Sequence, residues 1–113
     1  MKTVGFYRWR EGLGRDAMNE ALLRRAGWTY PEGAVPSAEY WTAGNDPRQV
    51  AIVIVFDELT PEGLLATVLA WNDLFDMSFL PSMTAEEGLE IGARLGARWH
   101  RLRSVLIWSL RPR

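Results

Sequence analysis

The run Gln49-Val50-Ala51-Ile52-Val53-Ile54-Val55-Phe56-Asp57 constrains this chain more than any other segment. Val50, Ile52, Ile54 and Phe56 alternate with Ala51, Val53 and Val55, so an extended backbone sends apolar side chains both ways. Such a strand belongs in the middle of a sheet that is covered on both sides. Just before it, Ala43-Gly44-Asn45-Asp46-Pro47 is the clearest turn in the chain. That turn predicts an antiparallel partner strand near 35–43, carrying Tyr40 and Trp41.

The flanking segments follow the same logic. Residues 2–9 alternate, with Val4 and Phe6 on one face and Tyr7 and Trp9 on the other, which is a first strand. Arg8 and Arg10 stand where a signal peptide would need its apolar stretch. Glu11-Gly12-Leu13-Gly14 reads as a plain turn, since its two glycines do not make a phosphate-binding pattern. Residues 15–26 read as a helix, with Ala17–Ala21 and Met18–Leu22 one turn apart, ending near Gly27. Thr60-Pro61-Glu62 opens a second helix that runs to about Asn72. A strand over 74–80 sets Phe75, Met77 and Phe79 against Asp76 and Ser78, and Pro81 stops it. Thr84-Ala85-Glu86-Glu87 is a capping box that starts a third helix, to about Trp99. Gly88, Gly92 and Gly96 line one stripe of that helix, a pattern expected where something packs closely. Val105 to Leu110 has high β-propensity and reads as a fifth strand pairing with a sheet edge, which would bury Trp108.

The order β-α-β-β-α-β is the ferredoxin-like pattern, an α+β fold with an antiparallel sheet and both main helices on one face. An extra helix and strand follow it. The domain spans residues 1–100, and 101–113 form a basic extension. Because the central strand is apolar on both faces, the face away from the helices also needs cover. A second copy presenting the same sheet is the simplest cover, so a homodimer is expected.

Composition excludes several function classes. With 113 residues the chain makes one domain, and a net charge of −1 gives nucleic-acid phosphates no basic surface. The absence of cysteine excludes disulfides and thiolate sites. His100 is the sole histidine and stands among Arg98, Arg101 and Arg103. It reads as a surface or helix-capping residue, so neither a metal nor haem is expected. No apolar run approaches the ~20 residues of a membrane helix, and a cytoplasmic location fits. Residues 1–90 hold all fourteen acidic residues and seven basic ones, whereas 91–113 hold six arginines and no acid. A basic tail can pack on an acidic body, in the same chain or a partner, or bind an anionic ligand.

The segment Trp71-Asn72-Asp73-Leu74-Phe75-Asp76-Met77-Ser78-Phe79-Leu80-Pro81, followed by Glu86-Glu87, resembles the signature of the DUF3303 family. Glu39-Tyr40-Trp41-Thr42-Ala43 before the hairpin turn and the opening strand fit as well. The resemblance covers about residues 2–98 and implies a dimeric α+β barrel, in which two ferredoxin-like sheets pack face to face. In the family a histidine often follows the hairpin tryptophan, where this chain has Thr42. The family carries no known function. The wider barrel superfamily includes cofactor-free monooxygenases, cyclases, isomerases and haem enzymes, and fold alone does not choose among them.

Six tryptophans and three tyrosines are many for this length. Phe6, Phe56 and Phe79 read as core. Tyr7, Trp9 and Trp41 carry polar atoms, and with Ser78 and Asp76 they would line an aromatic cavity for a small apolar or aromatic ligand. Asp76 among aromatics would have a raised pKa and could act as general acid or base, unless it lies exposed on an edge or pairs with an arginine across the dimer. Asp73, at a helix C-terminus that disfavours a carboxylate, needs a local reason to be there. Two functions stay open: a small-molecule binder or cofactor-free enzyme of isomerase, cyclase or monooxygenase type, and a non-catalytic dimeric module.

Overall fold

A computed structural model of the chain describes residues 2–44, 46 and 48–110, and for Trp99, His100 and residues 102–110 it describes the backbone alone. The elements are β1 (Lys2–Trp9), α1 (Arg15–Gly27), β2 (Ala34–Trp41), β3 (Ile52–Leu59), α2 (Pro61–Trp71), β4 (Phe75–Ser82) and α3 (Ala85–Leu110). They fall into two units, Met1–Ser82 and Met83–Arg113.

In the first unit the sheet order is β2-β3-β1-β4, with every neighbouring pair antiparallel. This is the ferredoxin-like α+β arrangement, and β3 takes the interior place that its two-sided apolar pattern demands. The strand begins at Ile52 rather than Gln49 because the preceding loop bonds to itself. There the Asp46 carboxylate accepts from Arg48 N–H at 2.9 Å, and Gln49 N–H donates to the Asp46 carbonyl at 3.1 Å.

Register decides which face becomes the core. Tyr7 pairs with Ile52 and Met77, Gly5 with Ile54 and Phe79, and Glu39 with Ile54. One face therefore carries Tyr7, Ile54, Phe56 and Phe75, buried with Ala21 of α1 and Trp71 of α2. Phe6 was expected in this core with Phe56 and Phe79, and only the latter two belong to it. Phe6 pairs with Val53 and Ser78 and so lies on the opposite face, with Val4, Tyr40, Val55 and Leu80. Tyr40 and Leu80 on that face are exposed.

Two glycines make the β2 and α2 junction close. Gly33 has φ 84°, a left-handed conformation that side chains disfavour. Its carbonyl accepts from Thr60 N–H at 2.8 Å. Thr60 then caps α2 through Gly63 N–H at 3.1 Å, as the Thr-Pro-Glu signal predicts. A methyl on Gly63 would stand 2.5 Å from the Gly33 carbonyl. Within α2, buried Thr67 satisfies its hydroxyl on the Gly63 carbonyl at 2.8 Å.

The second unit holds α3. Its capping box forms, with Glu87 N–H donating to Thr84 Oγ1 at 3.1 Å. The strand expected over 105–110 is corrected: the backbone there is helical and continuous with α3. No glycine, proline, asparagine or aspartate interrupts 97–110. Ile91, Leu95, Trp99, Leu102, Leu106 and Leu110 keep a three-to-four-residue spacing, so helical periodicity outweighs β-propensity. The expectations for the side chains of His100 and Trp108 lie outside the described residues. The close packing expected along the glycine stripe is not seen among the described residues: a methyl at Gly88 would lie 3.5 Å from Met83 Sδ, and one at Gly92 or Gly96 would meet nothing within 4 Å.

Gly63→Ala should destabilise the protein by about 2–3 kcal/mol, because the clash is with backbone and neither side can yield cheaply. Gly92→Ala should be neutral or stabilising by up to about 1 kcal/mol. Urea unfolding of the two variants checks the contrast, and equal midpoints would contradict it.

Candidate functional site

Between the sheet and the two helices of the first unit lies a cavity of about 200 Å³. Its floor is Tyr7, Trp9, Ile52, Ile54 and Phe75 from the sheet, and Met18, Ala21, Leu22 and Arg25 of α1 with Trp71 of α2 close it from above. Trp28, Tyr30, Glu39 and Trp41 complete the wall. Trp41 and Leu22 are both more than half exposed and mark the rim. Two ring pairs of the wall meet edge to face: Tyr7 lies 5.9 Å from Phe75 at 76°, and Trp28 lies 5.6 Å from Trp71 at 79°. That is the preferred quadrupole geometry.

The polar feature of this wall is Glu39. Strand alternation puts Glu39 and Trp41 on the same side of β2, facing the helices. Arg25 grips the carboxylate with two parallel bonds, Nε to Oε2 at 3.0 Å and Nη2 to Oε1 at 2.9 Å. Trp41 Nε1 donates to Oε2 at 2.7 Å, and the Tyr30 hydroxyl donates to Oε1. Four donors use the four lone-pair positions of the carboxylate. Burial works to raise the Glu39 pKa, but the bonds from Arg25, Tyr30 and Trp41 outweigh it and hold Glu39 below the usual glutamate range. The Arg25 guanidinium also lies over the Trp28 and Tyr30 rings, at 5.8 and 5.4 Å.

A second polar residue of the wall is Tyr7. Tyr7 is 2% exposed, lines the cavity and finds no hydrogen-bond partner for its hydroxyl among the described residues. Burial first, and the Glu39 charge second, push its pKa well above the ordinary tyrosine value, so the phenol stays protonated as a donor. Gly5 helps to set this ring. A methyl there would meet the Phe79 ring at 2.9 Å and Tyr7 at 3.1 Å.

Of the residues singled out from sequence, Tyr7, Trp9 and Trp41 come together at this cavity. Asp76 and Ser78 do not. They alternate with Phe75 and Met77 on β4 and therefore project from the opposite face. Asp76 is 65% exposed on edge strand β4, one of the alternatives to an acid–base role, and lies 3.6 Å from Arg10 of the same chain. Asp73 has its local reason in Arg24, which binds both carboxylate oxygens at 2.9 and 3.0 Å and the Ala70 carbonyl at 3.0 Å. Sequence reasoning missed Arg25, Trp28, Tyr30, Glu39 and Trp71. For Glu39 a signal existed: it is the one acid in the β2 stretch and shares the face of Trp41.

The DUF3303 family, described as a domain of unknown function, matches residues 1–96, and the chain belongs to it. A solved structure described as a dimeric ferredoxin-like protein of unknown function from Thermobifida fusca YX aligns with a TM-score of 0.40 and 12% identity. The alignment covers 70% of this chain and 85% of that one. No curated protein matches the chain. Among the described residues, no helix is long and apolar enough to cross a membrane.

The Glu39 network has a definite pH signature. Its folded pKa lies below an unfolded glutamate's 4.5. The unfolded state therefore binds the proton first as pH falls, and the stabilisation is complete above 4.5 and lost below it. Glu39→Gln should cost about 1–2 kcal/mol at neutral pH, less than for a fully buried pair because both side chains keep some solvent. It should also flatten the stability decline below 4.5. Unfolding midpoints measured across that range, wild type against variant, check both effects.

Proposed function

We propose that this member of the DUF3303 family binds a small, largely apolar ring molecule in the cavity between the sheet and helices α1 and α2. The observation that carries this reading is Tyr7, a residue of the cavity wall whose buried hydroxyl has no hydrogen-bond partner among the described residues. An unsatisfied buried hydroxyl costs about 1–3 kcal/mol, a cost that a ligand acceptor or donor would remove. The volume fits: an apolar cavity of about 150 Å³ accommodates benzene, so about 200 Å³ has room for a ring with a small substituent.

The same geometry favours binding over proton transfer. Glu39 is ionised with every lone pair engaged, and the Tyr7 phenol has its pKa raised. Neither is poised to exchange a proton near neutral pH. Asp76, on the opposite face, has no part in this reading.

Tyr7→Phe should melt at the same temperature as wild type or higher, and should bind the ligand about five- to twentyfold more weakly. Native mass spectrometry of protein from its own host would identify a retained ligand. If the protein carries none and small ring compounds leave its tryptophan fluorescence unchanged, the reading fails.

The open sheet face supports a second part of the proposal, a homodimer. Val4, Phe6, Tyr40, Val53, Val55 and Leu80 share that face. A second copy carries the same apolar surface, so a twofold pairing covers both at once. Phe6→Glu should halve the mass measured by light scattering at micromolar concentration. A wild-type monomer under those conditions would end this part of the proposal.

A further inference from the structure

Arg25 is positioned as a ligand would be. A carboxylate flanked by aromatic rings is an arrangement that captures ammonium and guanidinium groups, through charge and through the ring faces. Here Glu39 is that carboxylate and Trp28 and Tyr30 are two of the rings. The cation on them is the protein's own Arg25, with two bonds to Glu39 and its guanidinium within 6 Å of both ring centres. We infer that Arg25 fills a cation site from within and leaves the cavity selective for an uncharged ligand, which Tyr7 orients through a single hydrogen bond.

The inference rests on the binding reading above and adds the ligand's charge class. A cationic ligand would have to displace Arg25 or lie beside it without a counter-ion, since Glu39 has no lone pair left. An anionic ligand would meet an Arg25 whose charge Glu39 already balances, with the Glu39 carboxylate itself lining the cavity. Burying a charge without a counter-ion is unfavourable. A neutral carbonyl, hydroxyl or ring nitrogen asks only for what Tyr7 offers.

Benzamide, benzoate and benzamidinium separate these cases, because they share one ring and one planar substituent and differ in charge. Each is titrated into the full chain, with calorimetry for affinity and the indole N–H resonances of the tryptophans for location. Benzamide is expected to bind at least about tenfold more tightly than either charged analogue. In Tyr7→Phe that advantage should shrink. In Arg25→Met, which empties the cation site, benzamidinium should gain about tenfold. Arg25→Gln carries the same test should Arg25→Met fail to fold, and the wild-type series decides the selectivity without either variant. A charged analogue that enters the cavity as tightly as benzamide would overturn the inference and leave the binding reading standing. A folded Arg25 variant without the gain for benzamidinium would overturn the role of Arg25. If none of the three binds at millimolar concentration to protein freed of retained ligand, both readings fall.

Discussion

The Glu39 carboxylate joins three parts of the first unit that are separate in sequence. It sits on edge strand β2 and takes donors from α1 through Arg25, from the loop after α1 through Tyr30, and from the end of its own strand through Trp41. Each bond closes one wall of the cavity, so the shape of the pocket follows from how that one anion is satisfied. A half-buried carboxylate among aromatic rings is tolerated best when paired and fully bonded. The same bonds that make it tolerable also leave it chemically quiet.

Around that anchor the sheet is asymmetric in a way that backbone spacing enforces. Gly5 leaves room for the Phe79 ring to lie across β1 and hold Tyr7 edge-on. Gly33 and Gly63 let two backbones approach where α2 meets the start of β2. A side chain at Gly5 would press on Tyr7 in the cavity wall, and one at Gly33 or Gly63 would push α2 away from the start of β2. Arg24 performs the corresponding task between the helices: it bridges Glu20, Asp73 and the Ala70 carbonyl while lying 5.3 Å above the Trp71 ring.

Much of the architecture was readable from the chain because it is written in local signals. Period-two alternation marks the strands, Thr60-Pro61 and Thr84 mark helix starts, and the two-sided apolar run at 52–56 marks an interior strand. Local signals also misled. Val105–Leu110 has strand-forming residues, but a helix already under way needs no nucleation and continues until a breaker stops it.

The site divides along the same line. Tyr7, Trp9 and Trp41 could be chosen from sequence because large aromatics with polar atoms on strands are pocket-formers wherever they face inward. Whether they do face inward, and with which carboxylate, depends on strand register. A shift of one residue exchanges the two faces of a sheet. Pairing Tyr7 with Ile52 and Met77 put the aromatics under the helices and turned Asp76 and Ser78 to the other side. Glu39 became the paired anion of the wall because Arg25, fourteen residues away in sequence, was brought over it by the return of α1 across the sheet. Alternation and capping are properties of neighbours along the chain, so the sequence carried them alone. The choice of face, the partner of the carboxylate and the unpartnered Tyr7 hydroxyl arise from contacts between distant segments, and only the folded chain could decide them.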